Sequence, residues 1–175
     1  MSRMTRDELF LGLASLTSRR STCERAQVGA VLVRDNRIIS VGYNGSPPGA
    51  AHCSELGCLQ GSRGANCIRT IHAEVNAILH APGNNAVRGS TMYSTLAPCL
   101  GCTKVLMAAG VNEVVFLQYY EDQDRITFLA ENNHGQIRFR AYSPEEVTPE
   151  EFLHGLFSIQ DCSTRVLDRR WGISS

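Results

Sequence analysis

The sequence predicts a single α/β domain built on a five-stranded mixed sheet covered by helices. Three observations carry this. Helical and strand-like patterns alternate in the order α-β-β-α-β-α-β-α-β-α, an arrangement that buries one face of each helix against a sheet. Two of the β-rich runs meet directly across Asp35-Asn36, a hairpin turn inside an otherwise alternating pattern. The chain has 175 residues, enough for one normal core with little left for a second, and it contains no internal repeat.

The elements follow in order. Thr5-Arg6-Asp7-Glu8 is a capping box, and Leu9, Phe10, Leu13 and Leu16 recur at helical spacing, so a first helix runs to about Arg19. Val28 to Val33 and Arg37 to Val41 are the β-rich hairpin strands. Gly42 to about Arg69 is rich in Gly, Pro, Ser and Cys without a period; so long a loop in one domain needs a function or a staple. His72 to Ala81 is a helical run ended by Pro82-Gly83. Thr91 to Leu96 is a strand, Pro98 starts the next helix, and Gly110 closes it. Glu113 to Leu117 is a strand, Asp122 to Asn132 a helix, and Gln136 to Ala141 the last strand. Ser143-Pro144-Glu145-Glu146 and Thr148-Pro149-Glu150-Glu151 are start signals for a C-terminal helix from about 148.

Composition excludes several classes. With 43% apolar and 19% charged residues, the chain is that of an ordinary folded protein rather than a disordered one. Seventeen basic residues balance seventeen acidic ones, so no net field attracts a polyanion, which argues against a nucleic-acid substrate such as tRNA or single-stranded DNA. The N-terminus lacks the apolar core of a signal peptide, and no apolar run reaches the length of a membrane span. The expectation is a cytoplasmic protein with no membrane partner. Seven cysteines (23, 53, 58, 67, 99, 102 and 162) in such a protein point to metal or catalysis rather than disulfides.

The chemistry is concentrated in His72-Ala73-Glu74 and Pro98-Cys99-Leu100-Gly101-Cys102. His72, Cys99 and Cys102 make three ligands for one zinc ion, which leaves a fourth position open for water, as in catalytic rather than structural zinc sites. The ordered pair His-x-Glu and Pro-Cys-x-x-Cys is the general signature of zinc deaminases acting on bases. Both halves fall at helix starts, where the helix dipole favours thiolates. Water acidified by the metal can attack an electrophilic ring carbon, with Glu74 as the catalytic proton shuttle. A redox Cys-x-x-Cys would explain neither His72 nor Glu74, and a closed structural site would need a fourth ligand nearby.

With these motifs placed, residues 5 to 142 resemble the deoxycytidylate (dCMP) deaminase family of the cytidine deaminase-like superfamily. The likeness rests on Cys23 to Ala30, Gly42-Tyr43-Asn44-Gly45-Ser46-Pro47-Pro48-Gly49, Thr70 to Ile78, and Tyr93 to Cys99. His52-Cys53 with Cys58 and Cys67 is similar to the competence-associated and phage-type branch. The resemblance implies a three-layer α/β/α fold over one deaminase domain spanning 1–175, and a Zn2+-dependent conversion of dCMP to dUMP. It implies that Asn44 contacts the deoxyribose, that the Ala97 carbonyl holds the exocyclic amine, and that Tyr120 lines the base pocket. Many relatives are homohexamers activated by dCTP and inhibited by dTTP, with Mg2+, at a second site near the Gly-Tyr-Asn-Gly loop. Gly42, Tyr43, Gly45 and Arg25 are the candidates for that effector site. The sequence departs from regulated relatives at His80-Ala81-Pro82-Gly83, where they carry an aromatic and a basic residue.

Cys23, His52, Cys53, Cys58 and Cys67 crowd the long loop and could hold a second, structural zinc that staples it; the alternative is a set of buried free thiols. Cys162 is read as a packing residue, and Trp171 carries no argument. The motifs do not select the base. A purine deoxynucleotide or a modified cytosine nucleotide would meet the same chemistry, and a tRNA deaminase or an idle zinc-stabilised interaction module stand further off. Glu74 separates an enzyme from the idle module.

Overall fold

Thr5 caps the first helix as expected: its side chain accepts from the Glu8 N–H while Glu8 accepts from the Thr5 N–H, a reciprocal capping box that satisfies two otherwise orphaned donors. In the computed structural model, residues 3–61 and 67–143 are described. The C-terminal helix from about 148, Cys162 and Trp171 lie outside them.

Helix α1 (Arg6–Ser18) leads to β1 (Gly29–Arg34) and β2 (Arg37–Tyr43), joined by a turn in which Asp35 and Asn36 adopt φ of 50° and 60°. Left-handed values at both central residues are those of the hairpin turn that matches strand twist, and Asp and Asn tolerate them. A short α2 (Cys53–Leu56) lies in the long loop, followed by α3 (Ala73–Leu79) and a short α4 (Asn84–Val87). Neither short helix is legible as a period. Then come β3 (Thr91–Leu96), α5 (Leu100–Ala109), β4 (Glu113–Gln118), α6 (Gln123–Asn132) and β5 (Arg138–Ala141). Gly110, at φ 81°, ends α5 in the left-handed conformation the sequence predicts.

The sheet order is β2-β1-β3-β4-β5. β1 pairs antiparallel with both β2 and β3, while β3–β4 and β4–β5 are parallel, so the sheet is mixed. Helices cover both faces. Gly29 has no room for a Cβ against the Ala14 carbonyl of α1, and Gly42, opposite Ala30 in the hairpin, has none against Ala73 and Ala77 of α3. Because adjacent strand residues point to opposite faces, α1 and α3 lie on opposite sides. This is the three-layer α/β/α arrangement.

The close approach at Gly29 changes which face of α1 is buried. Phe10, Leu11, Ala14, Ser15 and Ser18 are buried, whereas Leu9 and Leu16 of the expected apolar stripe are 46% and 65% exposed. Small residues, not leucines, let the helix backbone settle on the strand. On the other face, Ala30, Leu32, Met92, Val114 and Phe116 of the sheet pack with Ala73 and Ala77 of α3 and Leu106 of α5. At the far edge, Asp7 accepts from Arg140 at 2.7 Å and from the Tyr93 hydroxyl at 3.0 Å, tying the start of α1 to β5 and β3. Among the described residues, no helix is long and apolar enough to cross a membrane.

Candidate active site

The site is built at two helix starts. His72 is the N-cap of α3, in extended conformation (φ −70°, ψ 153°), and Cys99 is the N-cap of α5 (φ −73°, ψ 171°). Cys102 lies within the first turn of α5 and is buried. The entry of α3 is pinned twice: Gly45 and Ile71 exchange backbone hydrogen bonds of 3.1 and 2.9 Å just before His72, and Gly42 seats the helix on β2. Asn76 adds a 2.7 Å bond from its amide to the Tyr43 carbonyl. Pairing and close packing, not local propensity, therefore set where His72 points.

The result is a tight triad. His72 Nδ1 lies 3.3 Å from Cys102 Sγ and 3.5 Å from Cys99 Sγ. Tetrahedral zinc with Zn–N near 2.0–2.1 Å and Zn–S near 2.3 Å requires N···S separations of about 3.5 Å, and both His72–sulfur separations are close to that spacing. Among the described residues, His72, Cys99 and Cys102 form the one group of three such donors with all ligand atoms within 4.8 Å of one another.

The electrostatics agree with a metal-binding set. A hydrogen bond from the Cys102 thiol, followed by His72, pulls the Cys99 thiol down to about 4, so it is a thiolate. The reciprocal bond to Cys99 and burial push Cys102 up. His72 is raised, chiefly through its hydrogen bond with Cys99. The pair thus keeps one proton that a bound cation would displace. Glu74, two residues on and 4% exposed, is raised above the ordinary carboxylate range because burial penalises its charge.

A cavity of about 230 Å³ opens beside the triad, with His72, Glu74 and Cys99 in its wall. Asn44, Ala97 and Tyr120, the three residues expected to meet substrate, all line it. Asn44 is buried; its Oδ1 accepts from the Val28 N–H and its Nδ2 donates to the Ala26 carbonyl, each at 2.8 Å. Ala97 is fixed by a 2.9 Å bond from its N–H to the Gln118 carbonyl. Arg25 also lines the cavity, whereas Gly42, Tyr43 and Gly45 are not among its lining residues.

The loop cysteines are gathered less tightly. Cys53 Sγ and Cys67 Sγ are 3.7 Å apart, Cys58 shares a hydrogen bond with Cys67, and Cys23 is close enough to Cys53 to raise its pKa. His52 sits at the N-cap of α2 with its Nδ1 buried and without a hydrogen-bond partner among the described residues. Cys67 is lowered to about 7: hydrogen bonds from the Arg69 and Leu59 backbone and from Cys58 and Cys53 outweigh the upward effect of its burial. No three of these donors close to within 4.8 Å of one another, in contrast to the His72 triad.

Sequence reading missed Asp122 and Arg125. Asp122 lines the cavity, and its two carboxylate oxygens accept from the Leu100 and Arg125 N–H groups, each at 2.8 Å, capping α5 and α6 together. Asp122 was legible as a helix start, but nothing in the sequence showed that it caps two helices.

Comparisons with known proteins come to the same place. The profile of the family described as "Cytidine and deoxycytidylate deaminase zinc-binding region" matches residues 4–118. The deoxycytidylate deaminase of Mycobacterium phage D29 is 42% identical over 125 residues, covering 66% of this chain and 97% of that protein. ComE operon protein 2 of Bacillus subtilis (strain 168) is 41% identical over 122 residues, covering 69% of this chain and 64% of that one, so this chain spans just under two thirds of its length. The crystal structure of dCMP deaminase from the cyanophage S-TIM5, in complex with dCMP and dUMP, superposes with a TM-score of 0.65 at 27% identity, over 81% of this chain and 100% of that one.

Proposed function

This chain belongs to the cytidine and deoxycytidylate deaminase family, and from that premise we propose that it hydrolyses dCMP to dUMP and ammonia. One observation carries the reading: a His72, Cys99, Cys102 triad at zinc-ligand spacing, with a buried carboxyl two residues away, faces a nucleoside-sized cavity. His72, Cys99 and Cys102 would hold a zinc ion, which would supply a water of lowered pKa beside Glu74. Glu74 takes one proton from that water and delivers it to the ring nitrogen as the C–O bond forms at the base carbon. The second water proton leaves with the amine as the C–N bond breaks. Burial suits Glu74 to this shuttle, because it raises the proton affinity of the carboxyl.

Around this centre, the Ala97 carbonyl accepts from the exocyclic amine and Tyr120 covers the base. Asn44 reaches the deoxyribose with the amide N–H that Ala26 leaves over. Arg25, a cation in the cavity wall, meets the 5′-phosphate. A structural zinc at the loop cysteines is supported by the 3.7 Å Cys53–Cys67 separation, since tetrahedral thiolates on zinc lie about 3.8 Å apart. The family likeness further supports a cytoplasmic homo-oligomer, a hexamer, and one deaminase domain, with a dCTP/dTTP and Mg2+ effector site at Gly42, Tyr43 and Gly45; Arg25, expected there too, is assigned instead to the substrate phosphate because it lines the cavity.

Ammonia release from a panel of deoxy- and ribonucleoside mono- and triphosphates tests the substrate. The expected result is turnover of dCMP above all others. Turnover of a purine nucleotide alone would overturn the dCMP assignment and leave the chemistry standing. Added dCTP and dTTP with Mg2+ in the same assay read the effector response.

A further inference from the structure

Arg125 is 4% exposed, and among the described residues no carboxylate oxygen lies within 4.0 Å of its guanidinium. Instead Nη1 donates to the Pro98 carbonyl at 2.6 Å and Nη2 to the Tyr120 carbonyl at 3.0 Å, under the ring of Tyr119 at 5.6 Å. Burying a cation without a carboxylate partner is costly, and an apolar side chain of similar volume would commonly serve stability as well or better. The guanidinium therefore contributes something an apolar group cannot: a fixed distance between two carbonyls. One belongs to the residue immediately before Cys99. The other belongs to a residue of the cavity wall.

The neighbouring Asp122 completes the clamp, joining the α5 N-terminus to the α6 N-terminus through Leu100 and Arg125 N–H groups. The first turn of α6 thus grips the metal-ligand turn from one side and Tyr120 from the other. We propose that Arg125 is a positioning residue that sets the place of the Cys99 turn relative to the Tyr120 wall, and with it the alignment of base and metal. This rests on the deaminase reading. A lysine would keep the charge but cannot span both carbonyls with a planar fork.

The test compares wild type, Arg125→Lys and Arg125→Gln by zinc content, melting temperature, steady-state ammonia release from dCMP, and the rate of zinc transfer to a colorimetric chelator. For folded, zinc-loaded variants, kcat should fall and zinc transfer should accelerate, each on the order of ten-fold or more, as for other groups that orient metal ligands. KM should change far less, and Arg125→Lys should be the milder of the two. Wild-type kcat and zinc transfer in folded Arg125→Lys would overturn the proposal, as would losses that only follow the folded fraction. Should Arg125→Gln fail to fold, Arg125→Lys decides. A wild-type protein inactive on dCMP would sink the substrate reading instead, and the zinc-transfer arm would still judge Arg125.

Discussion

Two regions of this molecule gather cysteines, and they differ in what positions the sulfurs. Cys99 and Cys102 stand at the head of a ten-residue helix that packs against α3, and their sulfurs lie 3.5 and 3.3 Å from His72 Nδ1. Cys53, Cys58 and Cys67 belong to the loop between β2 and α3, whose described residues carry one four-residue helix and two isolated bridges, Gly45–Ile71 at its ends and Gln60–Cys67 within it. There the Cys53–Cys67 separation of 3.7 Å is of zinc-thiolate size, but no three of the donors close to within 4.8 Å of one another. Helix starts on a packed sheet pre-organise ligands before any ion arrives, whereas a loop must be ordered by what it binds. A catalytic site gains most from the first arrangement, because its open position must not collapse.

Disturbing the scaffold under the triad should have the larger effect. Gly42→Ala drives a methyl group into the Ala73 carbonyl and the Ala77 N–H, at the start of the helix that carries His72 and Glu74. Overpacking of this kind costs about 1–3 kcal/mol of stability, readable by denaturant unfolding. A 1 Å displacement of reacting groups can cost about 10²-fold in rate, so kcat should suffer well beyond the loss of folded protein. Unchanged kcat in folded Gly42→Ala would show that the triad does not depend on this packing.

Disturbing the loop should be felt less at the catalytic centre. Cys53 is buried and is not itself a cavity-lining residue, although its partner Cys67 is, so Cys53→Ser removes a proposed structural ligand without altering His72, Glu74, Cys99 or Cys102. The expected outcome is one zinc fewer per chain by plasma emission and faster proteolysis between residues 53 and 67. Activity should fall by less than in Gly42→Ala. A wild-type count near one zinc per chain, unchanged in Cys53→Ser, would return these cysteines to the status of free thiols.

The contrast also explains how much could be read from the sequence. The triad and Glu74 were legible because each half is local: one residue separates His72 from Glu74, and two separate Cys99 from Cys102. The Thr5–Glu8 box and the Asp35-Asn36 turn were legible for the same reason, since both are short-range hydrogen-bond or dihedral requirements. The buried face of α1 was not, because the contact at Gly29 selects small residues and leaves Leu9 and Leu16 outside. Arg125 was invisible because its partners are backbone carbonyls, which leave no mark on the residue types at 98 and 120.

The central claim is that His72, Cys99 and Cys102 hold the metal while Glu74 moves the protons and ligates nothing. Glu74→Gln, nearly isosteric, separates these roles in one preparation: bound zinc by plasma emission and ammonia release from dCMP. The account expects wild-type zinc content with kcat down by about 10²–10⁴-fold or more, the usual worth of a general acid–base group. Loss of zinc with Glu74→Gln, or near-normal turnover without the carboxylate, would contradict it.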